Sequence, residues 1–324
     1  MLKNNYRGTL EDGSVDHEFN YFNAFAPTDD TPDSDPSATF IASLAVGPLG
    51  AALDADFINC KCVTRNGLSQ FERIFQCAEW ILEPSSFELG EDSADADRRP
   101  HIAVMPFALV DPLPTDAEVE QFRAKVRELE EAGVFVVAEA SDVPTLSRCS
   151  FINKIPGNVP EVFTASHLLS DLISLNPKSA SGPGSIERSV KPDLTAAGTD
   201  VVGAVTFDQI DVTARNSGSG PAAAVIAGCV ALMWQAVPEI RRNVPLTKRI
   251  LAESSTYIDS DDCLPELKGP DENGNLRNNV FGYGRLECDR AVELARELFP
   301  PVMNGGKKGR KKQWSQCQCG FDEC

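Results

Sequence analysis

Three histidines, His17, His101 and His167, are the side chains of this chain best suited to act as general bases near neutral pH. Serines gather at Ser217-Gly218-Ser219-Gly220-Pro221, directly before a stretch rich in Ala, Val, Ile and Leu. A serine hydroxyl becomes a nucleophile when a base takes its proton, a carboxylate orients the base and donors receive the oxyanion. Ser219 or Ser217 with His17 or His167 is one way to assemble such a set, because the members of a triad meet in space. The competing reading of the same run is a plain helix entrance, with Pro221 suited to the first turn. Cys317, Cys319 and Cys324 offer thiolates near the C-terminus, but their spacing fits no common zinc pattern. No metal and no cofactor is expected.

The elements that would position these residues alternate between two periods. Residues 1–37 are polar and acidic and read mostly as loop. Thr39 to Leu53 is small and apolar, which lets a helix approach a neighbour closely. Asp56 to Val63 alternates as a strand does, and Ser69 to Leu82 carries Phe71, Ile74, Phe75, Ala78 and Ile81 at helical spacing. Glu83 to Pro100 is a polar surface insertion. His101 to Leu109 is a buried strand run, and Thr115 to Ala132 is an amphipathic helix that starts at Thr115 and stops at Gly133. Val134 to Ala138, Val159 to Ala165 and Asp200 to Phe207 are further strands. Apolar strands alternating with helices imply an α/β fold with a mostly parallel sheet covered on both faces. Pro221 to Ala236 is apolar nearly all round and belongs in the centre of the domain. Val244 to Ser254 and Cys288 to Leu298 complete the helices.

Bulk properties bound the function. The 324 residues carry a net charge of -18, and 42% are hydrophobic, enough for a substantial core. That charge repels nucleic acid and anionic membranes, so neither is an expected partner of the main domain. It suits a basic peptide or protein. Residues 307–312 are the strongly basic exception, and a basic tail beside an acidic body makes self-association plausible. No stretch reaches the roughly 18–20 apolar residues of a membrane span. The first 20 residues lack the apolar core of a secretory signal. A cytoplasmic protein with reduced thiols is the resulting expectation, with Cys77, Cys149 and Cys229 as small core residues.

Several motifs in order resemble the subtilisin-like serine peptidase (subtilase) family. The most specific is Val190-Lys191-Pro192-Asp193-Leu194-Thr195-Ala196-Ala197-Gly198, where the family has V-K-P-D-(I/V)-x-A-P-G. Residues 218–232 resemble its G-T-S-M-A-x-P-x-V-A-G-x-x-A-L segment, which carries the nucleophilic serine into a buried helix. Ala38 to Ala45 resembles G-T-x-V-A-G, and the strand from Asp56 resembles the one that follows it. His101 to Ala108 stands at D-V-I-N-M-S-L-G, and Gly133 to Ser141 at G-V-x-V-V-x-A-A-G-N. The resemblance spans residues 10–295 and implies a three-layer subtilisin-like fold over residues 1–300, shortened at the N-terminus, with 301–324 as a flexible tail.

At the positions that do the family's chemistry, this chain departs from the pattern. The nucleophile position falls on Gly220, which has no side chain, and a shift of one residue onto Ser219 turns a side chain about 100° around the helix axis. The base position reads Ser37. The aspartate position falls on Glu11 or Asp12, without the apolar strand that should carry it. The oxyanion asparagine falls at or near Ser141. The peptide groove is represented by Met105, Phe107, Ala108 and Ser166, where Pro106 removes a backbone donor and the glycines are gone. The reading is a catalytically inactive pseudopeptidase that binds peptide or protein, with an active hydrolase of relocated residues as the alternative.

Overall fold

The computed structural model describes residues 2–25, 36–63, 69–86, 88–109, 114–142, 149, 151–207 and 210–300. The expected tail, 301–324, lies outside them.

The chain begins with a short strand, β1 (Tyr21–Asn23), followed by helix α1 (Pro36–Ala45) and strand β2 (Asn59–Lys61), which pairs with β1 in parallel. The reading of 1–37 as loop missed β1, for a physical reason. This segment is held by polar side chains and not by an apolar run. Arg7 donates to Asn20 Oδ1 at 2.6 Å, to the Arg98 carbonyl at 2.7 Å and to the Phe19 carbonyl.

Helix α2 (Phe71–Leu82) precedes strand β3 (Ile102–Met105), helix α3 (Asp116–Glu131) and strand β4 (Phe135–Glu139). α3 starts where its sequence demands. The Thr115 hydroxyl accepts from the Glu118 amide at 3.3 Å, and the Glu118 carboxylate accepts from the Thr115 amide at 2.7 Å. Gly133 ends the helix at φ +79°.

Strands β5 (Phe163–Leu168) and β6 (Leu194–Ala197) complete a parallel four-stranded sheet in the order β3-β4-β5-β6. Alternate residues of β4 enter different cores. Phe135 and Val137 pack with the central helix α4 (Ser219–Ala236), while Val136 and Ala138 pack with α2 and α3. Both sheet faces are therefore covered, as the apolar strands require. Strands β7 (Val201–Phe207) and β8 (Ile210–Asn216) form an antiparallel ribbon. β8 was not expected, because its alternation of polar and apolar residues suits a ribbon with one wet face. A two-residue ladder, β9 (Gly269–Pro270) with β10 (Leu276–Arg277), lies between helices α5 (Val244–Ser254) and α6 (Cys288–Leu298).

α4 is long and apolar enough to cross a membrane, but most of it is buried within the domain. Its Gly228 lets α1 come close: a Cβ there would stand 2.6 Å from the Ala45 carbonyl. Six of the seven described cysteines are paired, Cys60 with Cys77, Cys149 with Cys263 and Cys229 with Cys288. This corrects the reading of Cys77, Cys149 and Cys229 as reduced core residues. Partners 17, 114 and 59 positions apart meet only through the fold.

The V-K-P-D segment has a structural job. The Lys191 ammonium is 1% exposed and sits 2.6 Å from Asp193 Oδ2. Asp193 in turn accepts from the Thr164 amide at 2.7 Å, and Lys191 also donates to the Val162 carbonyl. The pair ties β5 to β6.

Candidate functional site

The entrance of α4 collects the ionisable groups that the sequence scattered. Ser219 and Gly220 open the helix, with Gly218 before it, and all three are buried. Facing them is the turn after β4, where Ser141 adopts φ +83° and reverses the chain so that Asp142 points at the helix. The Asp142 carboxylate accepts from the Ser219 amide at 3.3 Å and from the Ser219 hydroxyl at 3.1 Å. This is a capping arrangement, with an acid on the positive end of a helix. Gly218 is required by the same contact, since a Cβ there would come within 2.8 Å of Asp142 Oδ2.

A second acid stands against Gly220, the residue on which the family resemblance puts the nucleophile. A Cβ built on Gly220 would lie 2.9 Å from Glu139 Oε2, 3.3 Å from Ile41 and 3.4 Å from Pro106. Glu139 keeps a partly open edge, yet its carboxyl lies deep enough for desolvation to push its pKa up to about 8. The nearby charge of Asp142 adds to the rise and Lys154 opposes it. Desolvation on its inner side also raises Asp142, against the two Ser219 hydrogen bonds that hold it down, while the side chain keeps 40% of its surface open to solvent.

His167, on β5, completes the cluster. Its Nδ1 stands 3.3 Å from Asp142 Oδ1, without the geometry of a hydrogen bond, so this buried nitrogen has no partner among the described residues. Desolvation pushes its pKa down to about 4, so the ring is neutral at pH 7. The order in space is serine, aspartate, histidine. The group that touches the Ser219 hydroxyl is therefore a carboxylate, and Ser219 itself is 0% exposed. An anionic Asp142 at this place would repel an oxyanion and not stabilise it.

The other residues singled out by the sequence fall elsewhere. Ser217 is exposed, and its hydroxyl accepts from the Asp200 amide at 2.9 Å. His17 is held in the N-terminal segment, 2.9 Å from the Tyr6 hydroxyl and edge-on to Tyr21. Asp12 serves a local turn, accepting from the Ser14 amide at 2.8 Å, and Glu11 is exposed beside it. Ser37 is exposed in the first turn of α1. Of the four groove residues, Phe107 and Ala108 are half-buried, whereas Met105 is buried against α2 and α3. Ser166 is corrected: it is 0% exposed and donates to the Ala180 carbonyl at 2.9 Å, so it faces the interior and no groove. For the oxyanion position, expected at or near Ser141, the backbone distinguishes two residues. Counted from Gly133, the pattern G-V-x-V-V-x-A-A-G-N puts its glycine on Ser141, in agreement with the positive φ, and its last residue on Asp142. Glu139 and Asp142 were the functional residues missed. Two acids within five residues of a fully apolar strand were the available signal. Among the described residues no group of His, Cys, Asp and Glu is arranged to hold a metal ion.

The subtilase family model matches residues 115–284, more than half of the chain, and the chain belongs to that family. The solved structure of the prenylagaramide maturation protease PagA resembles it with a TM-score of 0.56 at 17% sequence identity. The likeness covers 81% of this chain and 84% of that one, and it supports a subtilisin-like mixed α/β fold. No curated protein matches.

Proposed function

We propose that this member of the subtilase family is a pseudopeptidase, a three-layer scaffold that binds peptide or protein without cleaving it. One observation carries the reading: the place of the nucleophile is held by Gly220 with the Glu139 carboxyl against it. The neighbouring hydroxyl of Ser219 is buried and engaged by Asp142, and the adjacent histidine is neutral and on the far side of that acid. The alternative, a hydrolase built on Ser219 and His167, needs Asp142 to leave its place between them. For Ser217 and His17 nothing in the geometry speaks in favour of a shared site.

The net charge of -18 favours a basic partner. The three cysteine pairs favour an oxidising compartment over the cytoplasm that unpaired thiols had suggested. Counting free thiols in the denatured, unreduced protein tests this point, and six additional alkylatable thiols without reductant would reject it. The functional reading is tested by incubating the protein with a randomised peptide library. New peptide termini would reject it; selective retention of intact peptides is the expected outcome.

A further inference from the structure

The α4 entrance gathers hydrogen-bond acceptors that lack a donor. Asp142 accepts from the Ser219 amide and hydroxyl and keeps 40% of its side chain open to solvent. The Glu139 carboxyl accepts no hydrogen bond from the described residues. Behind them, the His167 side chain is only 2% exposed. Its Nδ1 is aimed at Asp142 Oδ1 from 3.3 Å and has no partner among the described residues. Buried polar atoms in folded proteins are almost always paired, so an orphan here raises the question of what completes it.

The chemistry of the completing group follows from the set. A carboxylate only accepts hydrogen bonds, and a neutral imidazole accepts through one nitrogen. Water supplies donors but no charge. An ammonium supplies three donors and a guanidinium five, and both carry the positive charge that two neighbouring acids call for. Lys154 and Lys178 do not fill this role, because they act on the two acids only through space. The positive end of α4 does not fill it either, since Asp142 already caps it.

The surroundings say how such a group would arrive. Gly220 lets Glu139 Oε2 come up to the helix, where Ile41 of α1 and Pro106 after β3 flank it. Ile41, Pro106 and Glu139 are all half-buried, so the carboxyl is reached along an apolar rim. Lysine and arginine side chains suit that approach, because their methylene stems lie on apolar surface while the charged head reaches past it.

We propose that the α4 entrance receives a lysine or arginine side chain of a bound peptide, with its cationic head on Asp142 and Glu139 and its stem over Ile41 and Pro106. The Nδ1 of His167 then lies 3.3 Å from the oxygen that holds the head. The inference rests on the reading of this domain as a peptide binder and gives it a specificity: the place of the family's nucleophile becomes a pocket for one basic residue.

Protons should follow the cation. An ionised Glu139 is the better acceptor for it, and the pKa of about 8 keeps this carboxyl mostly protonated at pH 7. Of the charges that act on it, Asp142 raises that value and Lys154 lowers it. Ile41, Pro106 and Gly220 beside it carry no charge, and His167 is neutral. Binding therefore releases a proton, and affinity for an arginine peptide, which stays charged throughout, should rise from about pH 6 to about pH 9.

The test uses end-blocked, fluorescein-labelled peptides Gly-Ala-Ala-Xaa-Ala-Ala-Gly, with lysine, arginine, Nε-acetyl-lysine or norleucine as Xaa. They are titrated with the full chain at pH 8 and read by anisotropy, in about 0.5 M salt to screen the net charge of the protein. The lysine or arginine peptide should bind at least about tenfold more tightly than both neutral ones, and the tighter of the two identifies the residue. Asp142→Asn and Glu139→Gln, checked for folding by thermal melting, should each cut that preference at least about threefold, and Glu139→Gln should remove the rise with pH. Glu272→Gln, at an exposed acid between β9 and β10, should leave the preference unchanged. Equal binding of charged and neutral peptides, or a preference that survives both site variants, overturns the proposal while leaving a non-specific peptide binder intact. No binding of any of the four at about 1 mM overturns it as well, and the randomised library then decides the wider reading. Cleavage of any of them would overturn that wider reading itself.

Discussion

Two clusters of ionisable groups sit against the same sheet, one buried around Lys191 and one partly open around Asp142, and they are built in opposite ways. In the Lys191 cluster, a cation, an acid, a backbone amide and a carbonyl satisfy one another between β5 and β6. At the α4 entrance, two carboxyls and a neutral imidazole crowd together; among the described residues no cation makes hydrogen-bond contact with them and one histidine nitrogen is unpartnered, and desolvation raises both acids although the Asp142 side chain stays 40% exposed. A fully satisfied network holds a fold together, whereas an under-satisfied one stores cost and marks a candidate site.

The contrast can be broken by substitution. Lys191→Met should cause the largest loss, about 3–5 kcal/mol in denaturant unfolding, because it leaves Asp193 without its partner. A loss below about 1 kcal/mol would mean that the first cluster is not the anchor described here.

Glu139→Gln tests the second cluster through pH. The folded pKa, about 8, lies above the ordinary value of 4.5. The folded state thus binds the extra proton between these values, and the wild type loses stability as pH rises from about 4.5 to 8. The loss is at most about 1.4 kcal/mol per pH unit. The variant should match the wild type near pH 5 and exceed it near pH 8, by thermal melting in matched buffers. His167 works in the other direction. Its folded pKa of about 4 is depressed from 6.5, so its contribution is complete above 6.5 and disappears as pH falls toward 4. The two opposing slopes nearly cancel between about pH 4.5 and 6.5, so the wild type should be most stable near about pH 5.5 and lose stability steadily above about pH 6.5. A melting temperature still climbing at pH 8 would contradict the enclosed carboxyl.

Gly220→Ser comes next. Its Cβ would enter within 2.9 Å of Glu139 Oε2, so a modest destabilisation of about 1–3 kcal/mol is expected. No hydrolysis of peptide substrates should appear, because the group facing the new hydroxyl is the Glu139 carboxyl. Smallest is Ser219→Ala, which removes one hydrogen bond to Asp142 and should cost about 1 kcal/mol.

The same contrast governs what was legible beforehand. The Lys191 segment, the Thr115 helix start and the apolar α4 were readable because local pattern and tertiary role coincide there. β1 was hidden because Arg7 and Asn20 hold it through side-chain bonds to distant backbone. Ser141 takes a backbone conformation usually left to glycine, which hid the turn that delivers Asp142. The cysteine pairs were invisible because their partners are distant along the chain.

The central claim, that the α4 entrance holds no usable nucleophile, is tested most directly by a fluorophosphonate probe followed by intact-mass measurement, with an active subtilisin as the positive control. The account predicts that the mass is unchanged while the control is labelled in full. A stoichiometric adduct on Ser219, Ser217 or any other single serine would contradict it and reveal a rebuilt active site.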